Sequence, residues 1–217
     1  LKKSLRKGSI DVNIMTKLDY PFSRDENNIL QNDAMSALRG YAKSNLNSSV
    51  IFSAGINFAL YSYIAEFDDF IPDENGHMKK KIILKVSDFR SAMIQGNFLA
   101  KKGLWVSEYR IESGLNCGGH DFATDGYLLG PILEEFKQKK DQLIQSAHEL
   151  MTKALAQKEM HVPEKPLNLK ITVQGGVGTS EEHEFLLDHY DVDSVGWGTP
   201  FLLVPEATSV DKATREL

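Results

Sequence analysis

The chain has one cysteine, Cys117, in 217 residues, which excludes a disulfide framework and a multi-cysteine zinc site. It has no run of about 18 apolar residues, so no stretch reads as a membrane span. The basic opening Leu1-Lys2-Lys3-Ser4-Leu5-Arg6-Lys7 leads into no apolar stretch, and no signal peptide is expected. A reducing, cytoplasmic setting is the simplest expectation. Strong charge of either sign is also missing. A net charge of −5 gives no electrostatic reason to expect nucleic acid or an anionic membrane as partner. There is no serine nucleophile elbow and no phosphate-loop lysine pattern. His183-Glu184 lacks the second histidine of a helical zinc site, because Leu187 stands there, and no metal is expected. Repeats, low-complexity tracts and linkers are absent too, so one domain is expected.

What is present is a hydrophobic share of 41%, ample for a core, laid out as short β-branched runs between helical stretches. Strands are expected at 10–15, 49–53, 81–86, 104–111, 169–173 and 192–195. Helices are expected at 33–45, 58–67, 89–102, 132–157 and 180–187. Asp33 is expected to cap the first helix and Ser180 the last. With Ser180 as cap the third helical position is His183, so no reciprocal capping box is expected. In the long helix Leu143, Ala147, Leu150, Met151 and Ala154 form the apolar stripe. Lys137, Lys139, Lys140 and Glu149 lie off it, on what should be a solvated face. This alternation means a parallel sheet covered by helices, either doubly wound or a (β/α)8 TIM barrel.

In both architectures ligands bind at the carboxyl ends of the strands. The glycines concentrate there. Gly175-Gly176 and Gly178 follow the fifth expected strand, and Gly196-Trp197-Gly198-Thr199 follows the sixth. Glycine lets backbone N–H groups approach a phosphate, and a helix start adds partial positive charge. A phosphate gripped between these two loops is expected. Gly118-Gly119-His120 follows the fourth strand, where an imidazole suits proton transfer near neutral pH. Cys117 beside it is expected to be a small buried residue rather than a nucleophile.

At these residues the sequence resembles the FMN-dependent nitronate monooxygenase family, the former 2-nitropropane dioxygenases, which includes flavin-dependent enoyl-acyl-carrier-protein reductases. Val12-Asn13, Ala54-Gly55, Val86-Ser87, Ser113 to His120, Gly175-Gly176-Val177, Gly198-Thr199-Pro200-Phe201-Leu202 and Pro205-Glu206 follow that family's motifs in order. The resemblance implies a TIM-barrel flavoprotein in which Asn13, Ser53 and Ser87 line the FMN pocket. Gly118 and Gly119 would flank the isoalloxazine, and His120 would be the catalytic acid or base. Gly175, Gly176, Gly198 and Thr199 would hold the FMN phosphate. The implied activity is an oxidoreductase, a monooxygenase that oxidises a small nitronate-like substrate with oxygen. The alternatives are an enoyl-thioester reductase that draws on a nicotinamide, or, from another class, a phosphate-binding barrel isomerase or lyase without flavin.

The chain departs from the family pattern at several places. Ser113 stands where the pattern has Glu, with Glu112 one position early, and Asn116-Cys117 replaces the usual Glu-Ala. Trp197 is bulkier than the usual residue, a bulk that could crowd the phosphate site. Residues 127–168 read as a long helical insertion between strands. A complete barrel of this kind needs about 250 residues and eight strands. Six are visible in 217 residues, so the expectation is a single incomplete barrel lacking its first two strands.

Overall fold

The computed structural model describes residues 11–14, 21–24, 30–52, 56–112, 129–175 and 177–197. The elements run β1 (Val12–Ile14), β2 (Pro21–Arg24), β3 (Leu30–Asn32), α1 (Asp33–Ala42), β4 (Ser49–Phe52), α2 (Phe58–Ile64), a 3-10 turn (Asp68–Phe70), β5 (Lys81–Val86), α3 (Phe89–Ala100), β6 (Val106–Glu112), α4 (Leu129–Gln157), β7 (Lys170–Gln174), α5 (Ser180–Tyr190) and β8 (Ser194–Gly196). Six strands form one wholly parallel sheet in the order β1-β4-β5-β6-β7-β8. Each new strand is added on the same side as the last, with no reversal of order. The antiparallel pair β2-β3 is a separate small ribbon that the hydrophobic pattern does not announce.

The helices start where a short polar side chain follows a strand. Asn57 Oδ1 accepts from the Leu60 amide at 3.0 Å, and Asp88 Oδ1 accepts from the Ser91 amide at 2.7 Å. Two expected caps are corrected. Asn32, not Asp33, caps α1, its Oδ1 accepting from the Met35 amide at 2.7 Å. Thr179, not Ser180, caps α5. The shift of one residue makes Glu182 the third helical position, so the reciprocal capping box is present after all. In α4 the buried stripe is Leu133, Phe136, Leu143, Ala147, Met151, Ala154 and Leu155, whereas Leu150 is half-buried. Lys137, Lys139 and Glu149 are exposed, as a solvated face requires, whereas Lys140 is half-buried and pairs with Asp193.

One buried cluster gathers side chains from all five helices, among them Leu38, Leu60, Phe89, Phe136 and Leu186. Alternate strand residues meet them there: Ile14, Phe52, Leu84, Val86, Tyr109, Ile111 and Val173. The helices therefore cover one face of the sheet. The intervening strand positions are Asn13, Ile51, Ile83, Lys85, Glu108, Arg110, Glu112, Thr172 and Gln174, and they belong to the opposite face. That face is largely polar, unlike the twofold apolar strands of a sheet with helices on both sides.

A bulge in β6 settles which residues face which way. Ile82 pairs with Val106 but Ile83 pairs with Glu108, which leaves Ser107 as the extra residue. Without it, Glu108 would share the core face with Val106. With it, Tyr109 and Ile111 enter the core and Glu108, Arg110 and Glu112 turn to the polar face. The expected strand at 104–111 accordingly begins at Val106 and runs to Glu112, and Leu104 and Trp105 are buried ahead of it. The last strand is likewise displaced from the expected 192–195, to Ser194–Gly196.

Candidate functional site at the carboxyl edge of the sheet

The last rung of the β7–β8 ladder lies at this edge. The Gly175 amide donates to the Gly196 carbonyl at 3.1 Å. Gly175 has φ +88°, a left-handed conformation that favours glycine, and it lets the chain turn sharply off β7. A Cβ on Gly196 would lie 3.2 Å from Gln174 Cγ, so the two strand ends are also closely packed. Beyond Gly196 the Trp197 indole Nε1–H donates to His183 Nδ1 at 2.8 Å. That bond ties the segment after β8 to the first turn of α5. Trp197 is thus turned onto His183.

The start of α5 concentrates hydrogen-bond donors, and part of that capacity is used internally. Glu182 Oε2 accepts from the amides of Gly178 and Thr179 at 2.7 and 3.1 Å. Glu181 sits in the same turn. Its carboxyl is held below the ordinary range by the hydrogen bond from its own backbone N–H, helped by the Thr179 and Ser180 hydroxyls.

The polar face of the sheet brings charged groups to the same edge. Lys85 Nζ lies 2.9 Å from Glu112 Oε2 on the neighbouring strand, with side chains 19% and 10% exposed. One step down, Arg110 pairs with Glu108 at 2.8 Å, and Glu108 Oε1 also accepts from the Thr172 hydroxyl at 2.7 Å. Glu112 is in register with Gln174, and Gln174 with Gly196, so one row of the sheet runs from the ion pair to the glycine loops. Lys85 and Arg110 escaped the sequence reading. The signal was there, as charged residues alternating with apolar ones within otherwise buried strands.

Of the residues singled out from the sequence, Asn13 is exposed on the polar face. Ser87 follows β5, and its hydroxyl lies 3.1 Å from Asp88 Oδ2, beside the cap of α3. Gly175 is at the rung just described. Ser53, Gly118, Gly119, His120, Gly176, Gly198 and Thr199, with Cys117, lie outside the described residues. Among the described residues no group of three or more His, Cys, Asp or Glu side chains is placed to hold a metal ion. A surface depression of about 340 Å3 lies at the opposite edge, beside Asp11, Lys81, Ser107 and Lys170 at the amino ends of the strands. That end of a parallel sheet is not where ligands of such folds bind. Among the described residues no helix is long and apolar enough to cross a membrane. No protein family, curated protein or solved structure matched the chain.

Proposed function

We propose that this chain forms the larger part of a (β/α)8 barrel and binds FMN at the carboxyl edge of its sheet, acting as an oxidoreductase of the nitronate monooxygenase type. The observation that carries the reading is the last rung of the β7–β8 ladder, the 3.1 Å bond from the Gly175 amide to the Gly196 carbonyl, because the chain leaves the two strands there at adjacent points, each at a glycine. Paired loops on the last two strands are where barrels commonly hold a phosphate. Two features support the barrel itself. The strand order advances in one direction, whereas a doubly wound sheet reverses at a switch point. Among the described residues helices α1 to α5 pack on one face, and the polar face is the one that would line a barrel interior.

Two of the donors near the expected phosphate site are engaged within the protein, the Gly175 amide by the Gly196 carbonyl and the start of α5 by Glu182. Glu182 occupies the amides of Gly178 and Thr179, so by the resemblance the grip on the phosphate would fall to Gly176, Gly198 and Thr199, which lie outside the described residues. When bound, FMN supplies two-electron redox chemistry that no side chain provides. The protein's share is orientation and charge. Lys85, with its partner Glu112, places an ammonium group at the edge where an anionic ligand portion would lie. By the resemblance, His120 holds or moves the proton at the substrate.

Titration of the purified protein with FMN, followed by quenching of flavin fluorescence, tests the reading. Saturable one-to-one binding is expected. Absence of binding, with retained affinity for a sugar phosphate, would replace it with the isomerase or lyase reading. His120→Ala is expected to keep FMN and lower nitronate turnover by about 10²–10⁴-fold. Turnover of an enoyl thioester with a nicotinamide, in place of a nitronate, would reassign the reaction to the reductase type.

A further inference from the structure

We infer that the Trp197–His183 hydrogen bond is a clasp that ties the end of β8 to the first turn of α5, at the edge where the reading above puts the phosphate, and that protonation of His183 opens it. The inference rests on the functional reading above only for its last step, the effect on FMN. The clasp itself follows from geometry. Indole Nε1–H is solely a donor, so at 2.8 Å His183 Nδ1 must be the acceptor. An imidazole accepts at Nδ1 only when neutral, with its proton on Nε2. A proton added at Nδ1 makes both ring nitrogens donors, and the indole then faces a donor instead of an acceptor.

Position makes this bond consequential. Trp197 directly follows Gly196, the residue whose carbonyl receives the Gly175 amide. His183 is in the first turn of α5, where its backbone amide donates to the Thr179 carbonyl at 3.2 Å. The rings are 5.9 Å apart at 45°, and Trp197 is 38% exposed, so no packed core holds the indole in place. The neighbouring charges have other engagements. On α5 itself Glu182 binds the Gly178 and Thr179 amides, Glu181 takes the Ser180 hydroxyl, and Glu184 is exposed. From the elements packed on α5, Lys137 of α4 donates to the His189 carbonyl, and Lys140 pairs with Asp193 ahead of β8. His189 is stacked on Phe185.

The chain has two tryptophans, which makes the clasp directly readable. The Trp105 indole donates to the Asn168 carbonyl at 3.0 Å in the core and serves as an internal reference. In a nitrogen–proton correlation spectrum of the cofactor-free protein, two indole peaks are expected. The one that disappears in Trp197→Phe should shift on acidification, while the Trp105 peak stays fixed. His183→Gln, whose amide oxygen accepts but does not titrate, should hold the Trp197 peak near its neutral-pH position throughout. His183→Ala should move it permanently. FMN affinity of the wild type should fall by about tenfold on acidification, the value of one hydrogen bond, and should change by less in His183→Gln. A Trp197 peak indifferent to pH and to both His183 variants would overturn the clasp, whatever the protein does with FMN. Failure to bind FMN, with the peak still titrating, would sink the flavin reading and confine the clasp to loop structure.

Discussion

The contact between Gly96 in α3 and Tyr109 in β6 yields a stability prediction whose sign depends on two opposed effects. Gly96 lies inside a helix, where alanine would ordinarily be favoured by about 0.8–1.0 kcal/mol. A Cβ at this position would come within 1.9 Å of Tyr109 Oη and 3.1 Å of Cζ. Tyr109 is 1% exposed in the core and has no slack to retreat. Overpacking of this kind costs about 1–3 kcal/mol, and a 1.9 Å approach belongs at the upper end. The steric term wins, and Gly96→Ala should lose about 2 kcal/mol net. Tyr109→Phe acts in the opposite direction. The phenol hydroxyl is buried without a hydrogen-bond partner among the described residues, and burial holds its pKa well above the ordinary value. Removing an unpaired buried hydroxyl relieves a desolvation cost of about 1–3 kcal/mol, so the variant should gain about 1 kcal/mol. In the double variant the nearest atom is Cζ at 3.1 Å, which a shift of a few tenths of an ångström accommodates. The double variant should therefore match or exceed the wild type, with a coupling energy of about 1–3 kcal/mol. Urea unfolding with an unchanged m-value is the assay. A stabilising Gly96→Ala, or a double variant no more stable than Gly96→Ala alone, would refute the packing argument.

Three further outcomes are expected. Lys80 is fully buried, its ammonium bonded to the carbonyls of Ser44 and Leu46 and to Asp69, so Lys80→Ala should lose roughly 2–4 kcal/mol in the same unfolding assay. The carboxyls of Asp69, Asp73 and Glu181 are held below their ordinary values by hydrogen bonds, for Asp69 chiefly from Lys79 and then Lys80. Their contribution is present above the unfolded carboxylate range and is lost as pH falls through the lowered folded values. The melting temperature should thus fall on acidification below about pH 4, and less steeply in Asp69→Asn. Thr179→Ala removes the cap of α5 and should cost about 1 kcal/mol, with helix content measured alongside melting to check that the loss is local.

The strands and helices were legible because period-two and helical apolar patterns record which side of each element is buried. Lys81–Val86 carries both its ends in the sequence, with β-branched residues inside and Ser87-Asp88 after them. Cap positions were less legible. Asn32 and Asp33, or Thr179 and Ser180, are chemically equivalent candidates, and only backbone conformation chooses between neighbours. The bulge at Ser107 left a trace, an apolar spacing of three between Val106 and Tyr109, but a bulge exists only relative to the partner strand.

The sequence by itself determined a parallel α/β chain and put its glycines after successive strands, because those properties depend on residues close together in the chain. The tertiary structure decided what no local pattern encodes. It chose one face for helices α1 to α5, left the other to Lys85, Glu112, Arg110 and Glu108, and brought Trp197 onto His183. Each of those depends on strand order and register, which join residues that are distant in the chain.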